Sequence, residues 1–188
     1  MLYGKYKNIR NAVWQVLIDY NICSLPIQLS DITDRLGIKI VGDSYVQELQ
    51  VDERGATLNI NNNWYIVVDD TVSVPIQRFT VAHELGHILL GHMMIDKIKY
   101  RTFGKRNEEE QAADMFAARL LAPACILHEI GALSPEQIKR ICNISISSAE
   151  IRSARMKELE HRNKFYLHPL EQQVWEQFQE FINNSRNL

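Results

Sequence analysis

Two histidines four residues apart, with a glutamate directly after the first, form the segment His83-Glu84-Leu85-Gly86-His87, the stretch of this 188-residue chain whose residue types and spacing carry chemistry. On an α-helix such positions lie one turn apart on one face, so both imidazoles can reach a single ion. Glu84, about 100° further round the helix, leans into the space beside that ion, where its carboxylate can reach a metal-bound water without displacing it. That is the arrangement of a metal-dependent hydrolase. The metal brings the pKa of bound water toward neutrality and polarises the scissile carbonyl, and Glu84 carries the proton from the water to the leaving group. The plainer alternative is an amphipathic helix with two satisfied core histidines.

A catalytic zinc takes three protein ligands and keeps a fourth position for water, so a third ligand is needed. His92 does not supply it: Gly91 and His92 are adjacent and one residue late for the pattern that joins a third histidine through a glycine. It reads instead as a helix-terminal residue, favoured there by the helix dipole. The better source is the run Glu108-Glu109-Glu110. The buried face of its helix passes through Ala113, Phe116, Ala117, Leu120 and Leu121; Glu110 leads into that face, Glu109 flanks it and Glu108 points off it. Glu110 is therefore assigned as third ligand, with Glu109 as substitute. Asp114, one turn further, can accept a ring N–H from a ligating histidine and so orient it from outside the coordination shell. Two histidines and a carboxylate suit zinc and serve manganese as well. A donor for the developing oxyanion is also required, and Tyr65, Tyr100 and His92 are the candidates.

The elements that must position these groups are legible around them. Pro75, suited to a helix's first turn, introduces a helix over Ile76–Gly91, and a second helix over Glu108–Leu121 is acidic at its start and halted by Pro123. Upstream, Ile9–Tyr20 has helical spacing, Leu29–Leu36 reads as a short helix capped by Ser30 and stopped by Gly37, and Ile38–Val41 reads as a strand. Ala56–Ile60 and Trp64–Val68 flank Asn61-Asn62-Asn63, a hairpin signature. Met93–Lys105 reads as a surface loop. Further on, helices are predicted from Pro135 to Cys142 and from about Ala149 to His161. A final amphipathic helix follows Pro169, with Val174, Trp175, Phe178, Phe181 and Ile182 in its stripe. The fold class that follows is α+β: a small antiparallel sheet of about three strands packed on the His-Glu helix and the glutamate helix, with further helices at both ends. The site should lie in the cleft between the sheet's edge and the active-site helix, where an extended substrate segment could pair with that edge.

Composition bounds the reading. Hydrophobic residues make up 46% of the chain and the formal net charge is −2, which excludes disordered and collagen-like classes and gives no global electrostatic case for nucleic-acid or membrane-surface binding. Three cysteines with wide gaps and no CxxC do not form a disulfide framework and read as reduced thiols. No run approaches the length of a membrane span, and Gln15 and Asp19 interrupt the apolar stretch that a secretion signal would need; the expected location is the cytoplasm.

The stretch Arg78-Phe79-Thr80-Val81-Ala82-His83-Glu84-Leu85-Gly86-His87-Ile88-Leu89-Leu90-Gly91-His92, followed by Glu110 and by Ala113-Asp114-Met115-Phe116-Ala117-Ala118-Arg119-Leu120-Leu121-Ala122-Pro123, resembles the ImmA/IrrE family of metallo-endopeptidases. The resemblance is specific over Gln77–Pro123 and looser upstream and down to about Arg152. It departs from the common pattern at Ala112, where a second Glu often stands, and at Ala122, where Met is usual; neither is a proposed ligand. It implies a cytosolic bacterial or mobile-element protease that cleaves a helix-turn-helix repressor and lifts repression. Peptide as the substrate class comes from the resemblance, not from spacing or composition. On this reading residues 1–124 form the zinc metallopeptidase-like domain and 125–188 a helical region packed with it as one unit.

The C-terminal region carries a second signal. Pro135–Cys142, a break at Asn143–Ser147 and Ala149–Lys157 have the length and capping of a helix-turn-helix, with a net positive charge from Lys139 to Lys164. Helical pairs of this kind also recur as plain packing elements. Direct DNA contact is the weaker expectation here and contact with a partner protein, the repressor included, the stronger. Two functional alternatives to the protease therefore stand: a DNA- or partner-binding regulator with a non-catalytic metal site, and a toxin-like component held by a cognate partner. The sequence sets no oligomeric state.

Overall fold

The structure is a computed structural model that describes residues 8–92, 99–100, 108–163 and 165–186. The loop predicted for Met93–Lys105 falls outside them except for the backbone of 99–100, and the Tyr100 side chain falls outside as well. In chain order the elements are α1 (Ile9–Asp19), α2 (Ser30–Leu36), β1 (Ile38–Gly42), α3 (Asp43–Val46), β2 (Gly55–Ile60), β3 (Asn63–Val68), α4 (Val74–Leu90), β4 (Lys99–Tyr100), α5 (Glu108–Leu121), α6 (Ala124–Glu129), α7 (Pro135–Cys142), α8 (Ile146–Arg162), α9 (Pro169–Gln177) and α10 (Gln179–Arg186). The class is α+β, as the sequence predicts. No helix among the described residues is long and apolar enough to cross a membrane.

The chain divides into two compact units, one of Met1–Ile9 and Leu29–Ala117 and the other of Arg10–Gln28 and Ala118–Leu188. The first unit contains the sheet, in the order β1-β3-β2-β4. β2 and β3 form the predicted antiparallel hairpin, with Ile60 opposite Asn63. Its turn residues Asn61 and Asn62 both have positive φ, at 51° and 63°, the twist-matched turn for which asparagine is suited. The sheet is mixed, not wholly antiparallel: β1 runs parallel to β3, with Ile40 opposite Ile66. The physical reason is the connection. β1 leaves through α3 and a loop to Gly55, so no tight turn fixes its direction, and it joins the hairpin on the side away from β2. Three strands make up the body of the sheet, and β4 adds two residues opposite Thr57 and Leu58. Ile38, Ala56, Leu58, Ile66, Val67 and Val68 are buried, and α4 and α5 contribute Val81, Ala82, Leu85, Leu89, Ala113 and Phe116 to the buried set. Ser30 is the first residue of α2 and not its cap: Leu29 holds that position, and no side chain caps the helix.

The second unit is helical. Ala12, Val16 and Leu17 of α1, Cys125, Ile126 and Leu127 of α6, Ile138 of α7, Met156 of α8 and Val174 and Phe178 of the C-terminal segment are all buried. α7 opens with a capping box, in which Ser134 accepts from the Gln137 amide while the Gln137 side chain accepts from Ser134 N–H. Asn143 ends α7 at φ 51° and Ser145 caps α8 by accepting from Ser148 N–H, so α8 starts three residues before the predicted Ala149. The single final helix predicted after Pro169 is two, α9 and α10, with Phe178 between them. Phe178 is fully buried, and it ends α9 with ψ near 5°. Gln177 donates to the carbonyl of Leu17 at 2.8 Å and ties the end of α9 to the last turn of α1.

Candidate metal centre

The α4 helix carries His83, Glu84 and His87, and two glycines decide what can approach it. At Gly55 of β2 a Cβ would lie 2.3 Å from the Thr80 methyl and 3.5 Å from Cγ of Glu84, so only glycine lets β2 run this close beneath the helix. At Gly86 a Cβ would lie 3.2 Å from Cα of Ala113 and 3.2 Å and 3.3 Å from two atoms of Phe116. The missing side chain is what allows α5 to pack against α4 at the level of the histidines, one turn below Glu110. Pro75 sits in the first turn of α4, and Gly91 ends it in the left-handed conformation at φ 85°.

Three side chains converge where the helices meet. Nε2 of His83 and Nε2 of His87 are 3.0 Å apart. Glu110, from the first turn of α5, places one carboxylate oxygen 3.3 Å from His83 Nε2 and the other 2.9 Å from His87 Nε2. Donors bound at about 2.0–2.1 Å to one tetrahedral ion are separated by about 3.3–3.4 Å. The observed separations match that edge or fall slightly inside it, so the donor set fits a single small divalent cation. Among the described residues His83, His87 and Glu110 are the group of ligand-type side chains drawn together in this way.

Each imidazole also has a partner at its other nitrogen. His83 Nδ1 donates to Asp114 Oδ1 at 3.0 Å, which leaves the Nε2 lone pair pointing at the cluster. His87 Nδ1 faces His92 Nδ1 at 3.0 Å. Glu84 is buried and points toward the sheet, where Oε2 accepts the Thr57 hydroxyl at 2.6 Å; Thr57 itself is wholly buried on β2.

Burial controls the electrostatics. It pushes the Glu84 carboxyl above its ordinary range, opposed by the Thr57 hydrogen bond and by His83. Burial pulls His87 down to about 3, assisted by the neighbouring His83 and His92. A ring that resists protonation keeps its lone pair for a metal. For His83 burial is the largest single influence and acts downward, but the Asp114 hydrogen bond and the charges of Glu84, Glu110 and Asp114 together outweigh it, and the net direction is upward.

The structure thus brings together His83, His87, Glu110 and Asp114, and sets Glu84 beside them; Glu109, the predicted substitute, is not in the cluster. Tyr65 is not at the site. It pairs with Lys39 and Leu58 across the sheet, and strand alternation turns it to the face opposite Thr57. Two features of this site escape the sequence reading, the residue Thr57 and the pairing of His92 with His87. Thr57 could have been noticed as a hydroxyl on the inward face of an apolar strand, two residues from the glycine that admits the helix. His92, read as helix-terminal and as one candidate donor for the oxyanion, is half-buried against His87; the clue to that pairing was its position directly after the helix-ending glycine.

No curated protein matches the chain. Residues 33–152, well over half of it, match the Peptidase M78 family, the IrrE N-terminal-like domain. That span starts in α2 and runs through the whole sheet, both helices of the cluster and the α6–α7 segment into α8. With the hairpin, the His-Glu helix and the glutamate helix all inside the matched region, the chain belongs to the IrrE N-terminal-like family of metallopeptidases.

Proposed function

We propose that this protein is a zinc-dependent endopeptidase that cleaves a helix-turn-helix transcriptional repressor and so relieves repression. The observation that carries the catalytic part is the convergence of His83, His87 and Glu110, with a buried carboxylate, Glu84, held next to them by Thr57. On this reading His83, His87 and Glu110 hold the metal and Asp114 fixes the ring of His83 from behind. A bound zinc ion supplies an activated water and a polarised carbonyl. Glu84 accepts the proton of the attacking water on the oxygen that Thr57 does not hold, then returns it to the nitrogen of the departing amine. Its raised proton affinity suits that two-way transfer better than an ordinary surface carboxylate would. The repressor as substrate rests on the family resemblance.

The test is a cleavage assay on a purified helix-turn-helix repressor encoded beside this gene, with Glu84→Gln as the comparison. The wild type should cut the repressor and lose that activity on chelation, while Glu84→Gln keeps its metal and cuts at least a hundredfold more slowly, within the range general acid–base catalysis supplies. Equal cleavage by the two proteins would refute the assignment of Glu84. A metal-loaded wild type that leaves every adjacent repressor intact would refute the substrate.

A further inference from the structure

We infer that His92 is a positioning residue for the metal, holding the ring of His87 so that its Nε2 lone pair faces the ion. This rests on the metal-binding reading of His83, His87 and Glu110 and adds to it a residue that touches none of the other ligands' donor atoms.

The argument starts from how α4 ends. Gly91 is left-handed at φ 85°, its N–H bonds the carbonyl of Ile88 at 3.2 Å, and the N–H of His92 bonds the carbonyl of His87 at 3.0 Å. These two bonds define the Schellman termination, in which the residue after the left-handed glycine folds back over the residue five places earlier. That contact is ordinarily between two apolar side chains. Here it joins two imidazoles, with ring centroids 5.0 Å apart and Nδ1 atoms 3.0 Å apart.

Two imidazole nitrogens at that distance must divide into one donor and one acceptor. If His87 turns Nε2 toward His83 and Glu110, where it lies 3.0 Å and 2.9 Å from their donor atoms, its Nδ1 carries the hydrogen. His92 Nδ1 is then the acceptor, and His92 carries its own hydrogen on Nε2. The pair therefore selects the His87 tautomer with a lone pair on the nitrogen that faces the cluster. Asp114 performs the same service for His83, so each ligating ring is held by a different partner. Because the Schellman bonds are backbone bonds, the helix terminus itself sets the position of His92, and the spacing His87, Gly91, His92 is the whole requirement.

The experiment measures zinc affinity of the purified protein by competition with a chromophoric chelator, alongside the thermal melt of the metal-free form. Loss of such an outer partner typically costs 10- to 100-fold in metal affinity. His92→Ala and His92→Phe, which lack an acceptor, should bind zinc about 10- to 100-fold more weakly. His92→Asn, whose Oδ1 occupies the place of Nδ1, should recover most of that loss. The metal-free melts should stay close to wild type in all three. If His92→Phe binds zinc as tightly as wild type, or if His92→Asn is as weak as His92→Ala, His92 does not position His87. If the wild type binds no zinc, the metal reading itself fails, an outcome the variants cannot produce by themselves.

Discussion

Replacing Gly86 with alanine tests the packing that brings the two site helices together. In an exposed helix interior that substitution stabilises by about 1 kcal/mol, because glycine has more backbone freedom to lose. Here the new methyl would meet Cα of Ala113 at 3.2 Å and Phe116 at 3.2 Å and 3.3 Å, inside the roughly 3.5–4.0 Å of a relaxed carbon–carbon contact. Neither neighbour gives easily: one is backbone, and Phe116 is fully buried. The helices must separate by a few tenths of an ångström, and overpacking of this kind costs about 1–3 kcal/mol. The two effects partly cancel, which leaves a net loss of about 0–2 kcal/mol instead of the usual gain. The larger effect falls on the metal. Glu110 rides on α5, one turn before Asp114, and a separation of the helices draws it from the imidazoles beyond the roughly 0.2 Å that ligand distances tolerate. Zinc affinity should drop by about tenfold, corresponding to about 1.4 kcal/mol. Urea denaturation of the metal-free protein and chelator competition read the two quantities separately. A variant more stable by about 1 kcal/mol with undiminished zinc affinity would refute the close helix contact at Gly86.

Two further outcomes follow. Thr57→Val removes the donor to a buried carboxylate and should cost the metal-free protein about 1–3 kcal/mol, with Thr57→Ser close to wild type; it also has a pH signature. The Glu84 carboxyl is raised above its ordinary 4.5 in the fold and the Thr57 bond lowers it. Without that bond the folded variant keeps the proton to higher pH than folded wild type does, while the two unfolded chains titrate alike, so the deficit of the variant should grow as pH rises through the wild-type carboxyl's own raised range, which lies above 4.5. A deficit that shrinks over that range in paired denaturation curves would contradict the assignment. Cys23 is exposed, whereas Cys125 and Cys142 are buried, and burial pushes the Cys125 thiol up to about 12. A thiol reagent at pH 8 should therefore label one cysteine rapidly and the other two only on unfolding; rapid labelling of Cys125 in the folded protein would overturn the packing of α6.

What the sequence made legible, and what it hid, divide along physical lines. The α4 and α5 helices were readable because period, proline and end charges agreed, and the choice of Glu110 over its neighbours followed from helical phase together with its spacing to Asp114. The hairpin was readable because consecutive asparagines accept positive φ. β1 beside β3 was not: the direction of a strand joined by a long connection is settled by tertiary pairing, and no local residue encodes it. α3 and α6 are too short for a period to show, and each is held by contacts around it. The break at Phe178 was hidden because the apolar stripe continues in phase across it. Thr57, and the pairing of His92 with His87, were missed for a shared reason. Each acts on a residue placed by another element or by the geometry of a helix end, so its role appears only when the chain is folded.

The most direct test of the central claim is elemental analysis of the purified wild-type protein beside His87→Ala and Glu110→Ala. One equivalent of zinc per chain in the wild type, with little or none in either variant, is the predicted result. A wild type free of divalent metal after purification in zinc-containing buffer, or variants that hold as much as wild type, would contradict it.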